Sequence, residues 1–390
     1  MALGLYLSAP FCSSKCSYCN FASQVYPSAI YAEYCELLAR EIALAAEADG
    51  LRGALVDTIY WGGGTPTLLP APGFQNICAA ISETFNLAPG LEHTLEAAPG
   101  SLPPARLDHI VAVGVNRLSL GAQSFHDAEL RAVGRLHHPA TVGEDIVRCR
   151  AAGITNINLD LIAGLPYQTF ASWQASVHTA VELGPAHVSL YMLEVDDESR
   201  LGHELLAGGT RYHAHHVPDD DLIADCYEWA AAALQRAGLQ QYEISNFARP
   251  GLESRHNNRY WTRQPYLGLG LDAHSFLSTP QPRRFANPDH LEDYCVPLRA
   301  GRLPRGPMSW LSPTTEREEY YFLGLRRTAG VELHPNDPQY QAIPALEAGG
   351  LLLRSGRTIA LTPRGRMLSN QALAEFLEPV ATPTPTAAKL

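Results

Sequence analysis

The sequence predicts an α/β fold built from parallel βα units, with a small helical domain towards the C-terminus. Three observations predict it. Six short apolar runs recur across the first two-thirds of the chain, each followed by a stretch with helical period. Hydrophobic residues make up 46% of the 390 residues, enough for a sizeable core. After a proline-rich break at Arg302 to Pro313, the pattern changes to helix, helix, hairpin, helix. Periodicity alone leaves a barrel-like and a doubly wound sheet both open.

Leu3 to Leu7 reads as the first strand. Ser28 to Ala48 reads as a helix with Ser28 as N-cap and Tyr34, Leu37, Leu38 and Ile42 on its buried side. Asp57 to Trp61 is the second strand, closed by the turn Gly62-Gly63-Gly64-Thr65-Pro66 and followed by a helix near Pro72 to Phe85. His93 to Ala97, Asn116 to Leu120, Ile154 to Ile162 and His187 to Met192 complete the six strands. Asp219-Asp220-Asp221 opens an amphipathic helix that runs to about Ala237. Tyr242 to Phe276, rich in aromatics, Asn, His and Gly, has little period and is expected to be functional loop. Thr315 to Arg327 and Tyr340 to Gly349 read as helices, Leu351 to Leu361 as a hairpin around Ser355-Gly356, and Arg364 to Leu377 as a last helix. That set is winged-helix-like. The expected divisions are a core at 1–240, a connecting segment at 241–312, a C-terminal helical domain at 313–378 and a disordered Pro/Thr/Ala-rich tail at 379–390.

The net charge of −11 argues against a nucleic-acid binder, which usually presents a basic face. No apolar run approaches the roughly 18–20 residues of a membrane helix. The first ten residues lack a basic n-region and reach Pro10 after a short apolar stretch, so a soluble, cytoplasmic protein is expected.

Cysteine usage sharpens the reading. Cys35, Cys78, Cys149, Cys226 and Cys295 are scattered among apolar neighbours, as small core residues are. The other three of the eight form Cys12-x3-Cys16-x2-Cys19 on one tight loop straight after the first strand. Three soft ligands suit zinc or an iron–sulfur cluster. Structural zinc wants a fourth ligand, usually from a second knuckle, and none of the remaining cysteines is paired. A [4Fe–4S] cluster held by three cysteines leaves one iron open, and the x3/x2 spacing differs from the x2/x2 runs of ferredoxins.

This spacing resembles the signature of the radical S-adenosylmethionine superfamily, in which the open iron chelates the amine and carboxylate of S-adenosylmethionine. The resemblance implies that the working face lies at the C-terminal ends of barrel strands. There the bare backbone of the Gly62–Pro66 turn would cradle the methionine amine, and Glu96, Gln123, Asp160, Tyr191 and Met192 would ring one opening.

Within that superfamily the chain resembles the HemN/HemW group, named for oxygen-independent coproporphyrinogen III oxidase and its relative, the haem chaperone. The matching stretches are Gly4-Leu5-Tyr6 with Pro10-Phe11-Cys12, then Tyr60-Trp61-Gly62-Gly63-Gly64-Thr65-Pro66. Ser119-Leu120-Gly121-Ala122-Gln123-Ser124-Phe125 and Asn158-Leu159-Asp160-Leu161-Ile162-Ala163-Gly164-Leu165-Pro166 follow. The resemblance runs from residue 4 to about 377. It implies a partial (β/α)6 TIM-like barrel with a C-terminal helical domain. It also implies S-adenosylmethionine contacts from Tyr6, Gly63, Gly64, Thr65, Glu96, Gln123, Arg135, Asp160 and Met192.

Three features point to the haem-chaperone side. Phe21 stands where the oxidase has a fourth cysteine, and 11 residues precede Cys12 where the oxidase has a long extension. His256-Asn257-Asn258-Arg259-Tyr260-Trp261 fits the chaperones' HNxxYW motif. Imidazole is a good axial ligand for haem iron and aromatic rings pack on a porphyrin, so His256, Tyr260 and Trp261 are the expected haem contacts. His274 and the His213/His215/His216 group are further candidates. One departure is Ser8-Ala9-Pro10, where the family usually has His-Ile-Pro. The resemblance thus implies a haem chaperone that binds a [4Fe–4S] cluster, S-adenosylmethionine and haem. Its implied partners are an electron donor and haem-accepting respiratory proteins, through which it would meet membranes transiently. The alternative is coproporphyrinogen III oxidation.

Overall fold

The computed structural model describes residues 2–195, 197–334, 337 and 341–377. The expected tail at 379–390, and Tyr340 at the expected start of a helix, lie outside them. Six strands appear in the first two-thirds: β1 (Leu3–Ala9), β2 (Leu55–Gly63), β3 (Asn86–Ala97), β4 (Arg117–Gln123), β5 (Asn156–Ala163) and β6 (His187–Met192). They pair in parallel and strictly in chain order. A doubly wound sheet reverses its strand order at a switch point, and this order has no reversal. It is the barrel arrangement, left open at its ends.

Helices cover the outside. α1 (Tyr31–Ala48) and α2 (Ala71–Thr84) follow β1 and β2. α3 (Pro104–Ala112), α4 (Asp127–Ala132), α5 (Pro139–Ala151) and α6 (Phe170–Glu182) follow β3, β4 and β5. α7 (Arg200–Leu206) and α8 (Asp220–Arg236) come after β6. Leu5, Leu7, Trp61, Leu118, Leu159 and Leu190 of the strands are fully buried, as are Ile42, Ile77 and Trp173 of the helices. α1 buries Tyr34, Leu37, Leu38 and Ile42 as its period requires, but Ser28 does not cap it. Ser28–Ile30 forms a 3-10 turn instead, and the α-helix begins at Tyr31. α6 is closed by Thr169 and Ser172, whose side chains reciprocally satisfy each other's backbone N–H groups, a cap that stabilises by about 1 kcal/mol.

The segment expected to be loop between Tyr242 and Phe276 carries structure. β7 (Gln240–Gln241) and β8 (Asn246–Ala248) extend the sheet beyond β6 in antiparallel fashion. α9 (Arg255–Trp261) follows, then β9 (Tyr266–Leu269), which pairs in parallel with β1 on its other side. β10 (His274–Leu277), β11 (Arg283–Ala286) and β12 (Ser309–Trp310) add antiparallel strands, with α10 (Leu291–Arg299) between the last two. These strands are two to four residues long, too short to show a period of two. They form because an existing sheet edge offers unpaired backbone groups.

By internal packing the chain divides into two units. One comprises Met1–Tyr260 and Gln264–Trp310, the other Trp261–Arg263 with the residues from Leu311 onward. In the second, α11 (Pro313–Gly324), α12 (Ile343–Ala348), α13 (Pro363–Met367) and α14 (Ser369–Ala374) accompany a small antiparallel sheet. That sheet is ordered β13 (Val331–Glu332), β15 (Thr358–Leu361), β14 (Leu352–Ser355). Tyr321, Ile343, Leu352, Ile359, Leu373 and Phe376 form its own core.

Candidate cofactor-binding site

The strands' C-terminal ends surround a cavity of about 460 Å³. Cys12, Cys16 and Cys19 line it together with Gly63, Gly64, Thr65, Glu96, Gln123, Arg135, Asp160 and Met192. Tyr6 is the one expected contact outside it. Tyr6 borders a smaller neighbouring pocket with Ser8, Gly63 and Asp272, and its ring stacks 6.2 Å from that of Tyr60.

The cysteine loop and the glycine turn are built as one piece. The Gly64 N–H donates to the Ala9 carbonyl at 2.8 Å and the Thr65 N–H to the Phe11 carbonyl at 2.7 Å. A Cβ on Gly64 would fall 2.6 Å from Phe11 O and 2.7 Å from Ala9 O, so only glycine permits that approach. The loop's own bonds are Cys12 N–H to Gln24 O at 3.0 Å and Ser17 N–H to Val133 O at 3.1 Å. The Arg135 guanidinium points at Cys16 Sγ at 3.8 Å. All eight cysteines are free thiols. Among the described residues, no group of three His, Cys, Asp or Glu could hold a single metal ion between them. A multi-iron cluster takes each thiolate on a different iron and requires no such common point.

The cavity wall also carries two carboxyls, Glu96 and Asp160. Strand alternation turns Tyr60, Glu96, Ser119 and Asp160 into the cavity. Burial, then the neighbouring Asp160, pushes the Glu96 carboxyl up to about 8, against the Tyr60 hydroxyl, which donates to it at 2.8 Å. Burial likewise raises Asp160, although Asn158 donates to it at 2.7 Å and Ser119 at 3.2 Å. Two partly buried carboxyls that resist ionisation are returned to their charged forms by a cation. The wall therefore favours a ligand carrying positive charge. Two buried polar atoms of the lining, Gln123 Oε1 and Arg135 Nε, have no hydrogen-bond partner in the protein. Gln123 also has a φ of 66°, a strained conformation for a residue with a side chain. Acidic pair, unpaired acceptor and unpaired donor fit a zwitterionic cation such as S-adenosylmethionine, and the three thiols beside them fit a cluster with an open iron.

The His256 motif lies elsewhere. His256 is fully buried; its Nδ1 is 2.9 Å from Thr58 Oγ1 and its Nε2 is 2.9 Å from the Tyr260 hydroxyl. Its ring stacks on Tyr60 at 5.3 Å, and its backbone N–H donates to Glu92 at 2.9 Å. Burial, then Arg117, pushes its imidazole down to about 3, so it stays neutral with both nitrogens paired. Arg259 of the same motif donates to Thr58 Oγ1 and the Ala2 carbonyl, both at 3.0 Å, and to Asp57. Trp261 belongs to the second unit, where the Arg326 guanidinium lies 4.5 Å from its ring centroid. The structure thus brings the cysteines and all but one of the expected S-adenosylmethionine contacts to one cavity, and it offers no open nitrogen at His256.

Sequence reasoning missed two contributors. Tyr60 is wedged between Tyr6 and His256 and holds Glu96. Arg117, 1% exposed, supplies the buried positive charge that both Glu96 and Asp160 feel. The signal was available: both sit on the polar face of strands whose other face is apolar, in register with Thr94 of β3.

Comparison with known proteins agrees with this geometry. Residues 6–180 match the radical SAM superfamily model. The heme chaperone HemW of Synechocystis is 35% identical over 340 residues, covering 85% of this chain and 79% of that one. The heme chaperone HemW of Bacillus subtilis is 32% identical over 382 residues, covering 95% and 98%. The solved structure of coproporphyrinogen III oxidase (HemN) from Escherichia coli superposes with a TM-score of 0.83 at 24% identity, over 96% of this chain and 90% of that one, which establishes the shared fold. Identity above 30% across most of both chains settles the assignment: this chain belongs to the HemW haem chaperone family of the radical SAM superfamily.

Proposed function

We propose that the protein is a haem chaperone that carries a [4Fe–4S] cluster on Cys12, Cys16 and Cys19, binds S-adenosylmethionine beside it, and passes haem to acceptor proteins. The cluster would supply an open iron to chelate the cofactor's amine and carboxylate. In this reading Glu96 and Asp160 attract the cationic end, Gln123 and Arg135 pair with its polar groups, and the Gly63–Thr65 backbone admits it closely. The observation that carries the reading is the cavity itself: three thiols, two carboxyls with raised proton affinity and two unpaired buried atoms face one space.

Haem as cargo rests on the relatives named heme chaperone HemW. Phe21 supports it, because an exposed phenyl ring at the cavity mouth replaces the thiol of the oxidase pattern and adds apolar surface there. Acceptors would be respiratory haem proteins. No described helix is long and apolar enough to cross a membrane.

The test is anaerobic. Reconstituted protein is given coproporphyrinogen III, a reductant and S-adenosylmethionine, and the same sample is then titrated with haem. Haem binding without protoporphyrinogen is the expected result. Formation of protoporphyrinogen would replace the chaperone reading with the oxidase one.

A further inference from the structure

The fourth strand does not end regularly. From Leu120 to Gln123, β4 takes three steps where its partner β5 takes two, from Leu159 to Leu161, which makes a β-bulge. The Ser124 N–H then donates to the Ala122 carbonyl at 2.8 Å across Gln123, whose φ is 66°. A three-residue turn closed around a positive φ is the rare, strained form of the γ-turn. Gly121 makes room for it: a Cβ there would fall 2.8 Å from Gln123 Nε2 and 3.1 Å from Arg135 Nη2. The result is a Gln123 side chain in the cofactor cavity with its Oε1 buried and unpaired.

The groups that hold this turn closed are fully buried and lie outside the cavity lining. The Ser124 hydroxyl donates to Glu129 Oε2 at 2.6 Å and accepts from the His126 N–H at 2.9 Å. The Phe125 N–H donates to Ser176 Oγ of α6 at 3.1 Å. Glu129 Oε2 also accepts from Gln168 Nε2 at 3.1 Å, and its Oε1 accepts from the Ser172 hydroxyl at 2.6 Å. Gln168 in turn holds the end of β5, donating to the Ile162 carbonyl at 3.2 Å and accepting from the Gly164 N–H at 2.6 Å. One carboxyl thus ties together the ends of two neighbouring strands and the start of α6. Both 2.6 Å hydroxyl contacts are of the short, strong kind that a carboxylate accepts.

We propose that Glu129, acting through Ser124, is the positioning residue that holds Gln123 in its strained turn and so sets the cavity's affinity for S-adenosylmethionine. The inference rests on the reading that S-adenosylmethionine binds this cavity. A residue with a side chain keeps a positive φ only where its surroundings over-determine it. Without the clamp, Gln123 would relax to negative φ and its amide would leave the cavity. Binding would then have to restore the turn, and affinity would fall with the fraction of molecules in which the turn is formed.

The test compares reconstituted wild type with Ser124→Ala, Glu129→Gln, Gln123→Gly and the double variant Gln123→Gly/Ser124→Ala. Calorimetry gives the S-adenosylmethionine affinity. Hydrogen exchange of the residue-124 amide, which closes the turn, is followed without S-adenosylmethionine. Ser124→Ala removes a single hydroxyl, so it carries the test if Glu129→Gln does not fold. Each clamp variant should weaken binding about tenfold and speed that exchange roughly tenfold, with iron and sulfide contents as in wild type. Gln123→Gly accepts the positive φ without strain but lacks the side chain, so it should bind more weakly than wild type. Adding Ser124→Ala to it should then weaken binding no further, whereas damage to the scaffold alone would act equally in both backgrounds. Unchanged affinity or exchange in Ser124→Ala, or the same tenfold loss on adding it to Gln123→Gly, would overturn the positioning role alone. Failure of wild type to bind S-adenosylmethionine would overturn it together with the cofactor reading.

Discussion

The cysteine loop and the His256 motif are equally conspicuous in the sequence, yet the structure gives them opposite surroundings. The cysteines line an open cavity whose wall holds unpaired polar atoms and carboxyls with raised affinity for protons. Each nitrogen of His256, by contrast, is paired inside the barrel, and Arg259 next to it clasps the start of the chain and the base of β2. A buried polar group that is fully satisfied has spent its bonding capacity on the fold, whereas one left unpaired is held ready for a ligand. A memorable string of residues does not separate these cases. The hydrogen-bond inventory does.

The contrast can be broken or sharpened by four measurements. The largest effect is expected at the loop. Cys16→Ala should leave too few thiolates to retain the cluster, seen as loss of bound iron, sulfide and the visible iron–thiolate absorption. Full retention would remove Cys16 from the ligand set. His256→Ala comes next and should act on stability: it strands Thr58 and Tyr260 and opens a gap beneath Tyr60, for about 2–4 kcal/mol in chemical denaturation. Iron content at low temperature should be normal. If that variant kept its stability and lost haem binding, the comparison would be wrong.

Glu96→Gln should weaken S-adenosylmethionine binding by about 1–2 kcal/mol, a factor of roughly 5–30 by calorimetry on reconstituted protein. An equal affinity would show that Glu96 serves the scaffold. The smallest effect concerns Glu41, a buried carboxyl that accepts from Tyr294 and Asn287, each at 2.6 Å, and from the Gly270 N–H at 2.8 Å. Burial raises it from 4.5 to about 7, so the folded chain keeps a proton that the unfolded chain has released. Its contribution is full below about 4.5 and is lost as pH rises to about 7. Glu41→Gln should flatten that part of the stability–pH curve, and an unaltered slope would assign it to other groups.

Much of this was legible beforehand. Six apolar runs with helices between them gave the parallel strands, and the three-cysteine spacing with the glycine turn located the cavity. Those features are local, and a local pattern survives in a one-dimensional reading. What stayed hidden depends on long-range pairing. β9 is four residues long and becomes a strand because β1 has a free edge; the partner of His256 Nδ1 lies 198 residues earlier. Ser28 has the right chemistry for a cap, yet the chain enters α1 through a 3-10 turn and leaves it unused.

The pairing of β1 with β9 also sets an order in time. On the ribosome β1 and the cysteine loop are made before Tyr266–Leu269, which closes the second side of β1 and follows some 260 residues later. At about 5–20 residues per second, that is an interval of roughly 13–50 seconds. Arg259, which grips Ala2, arrives in the same late stretch. The strand that leads into the three thiols therefore waits with one edge unpaired while most of the barrel is made.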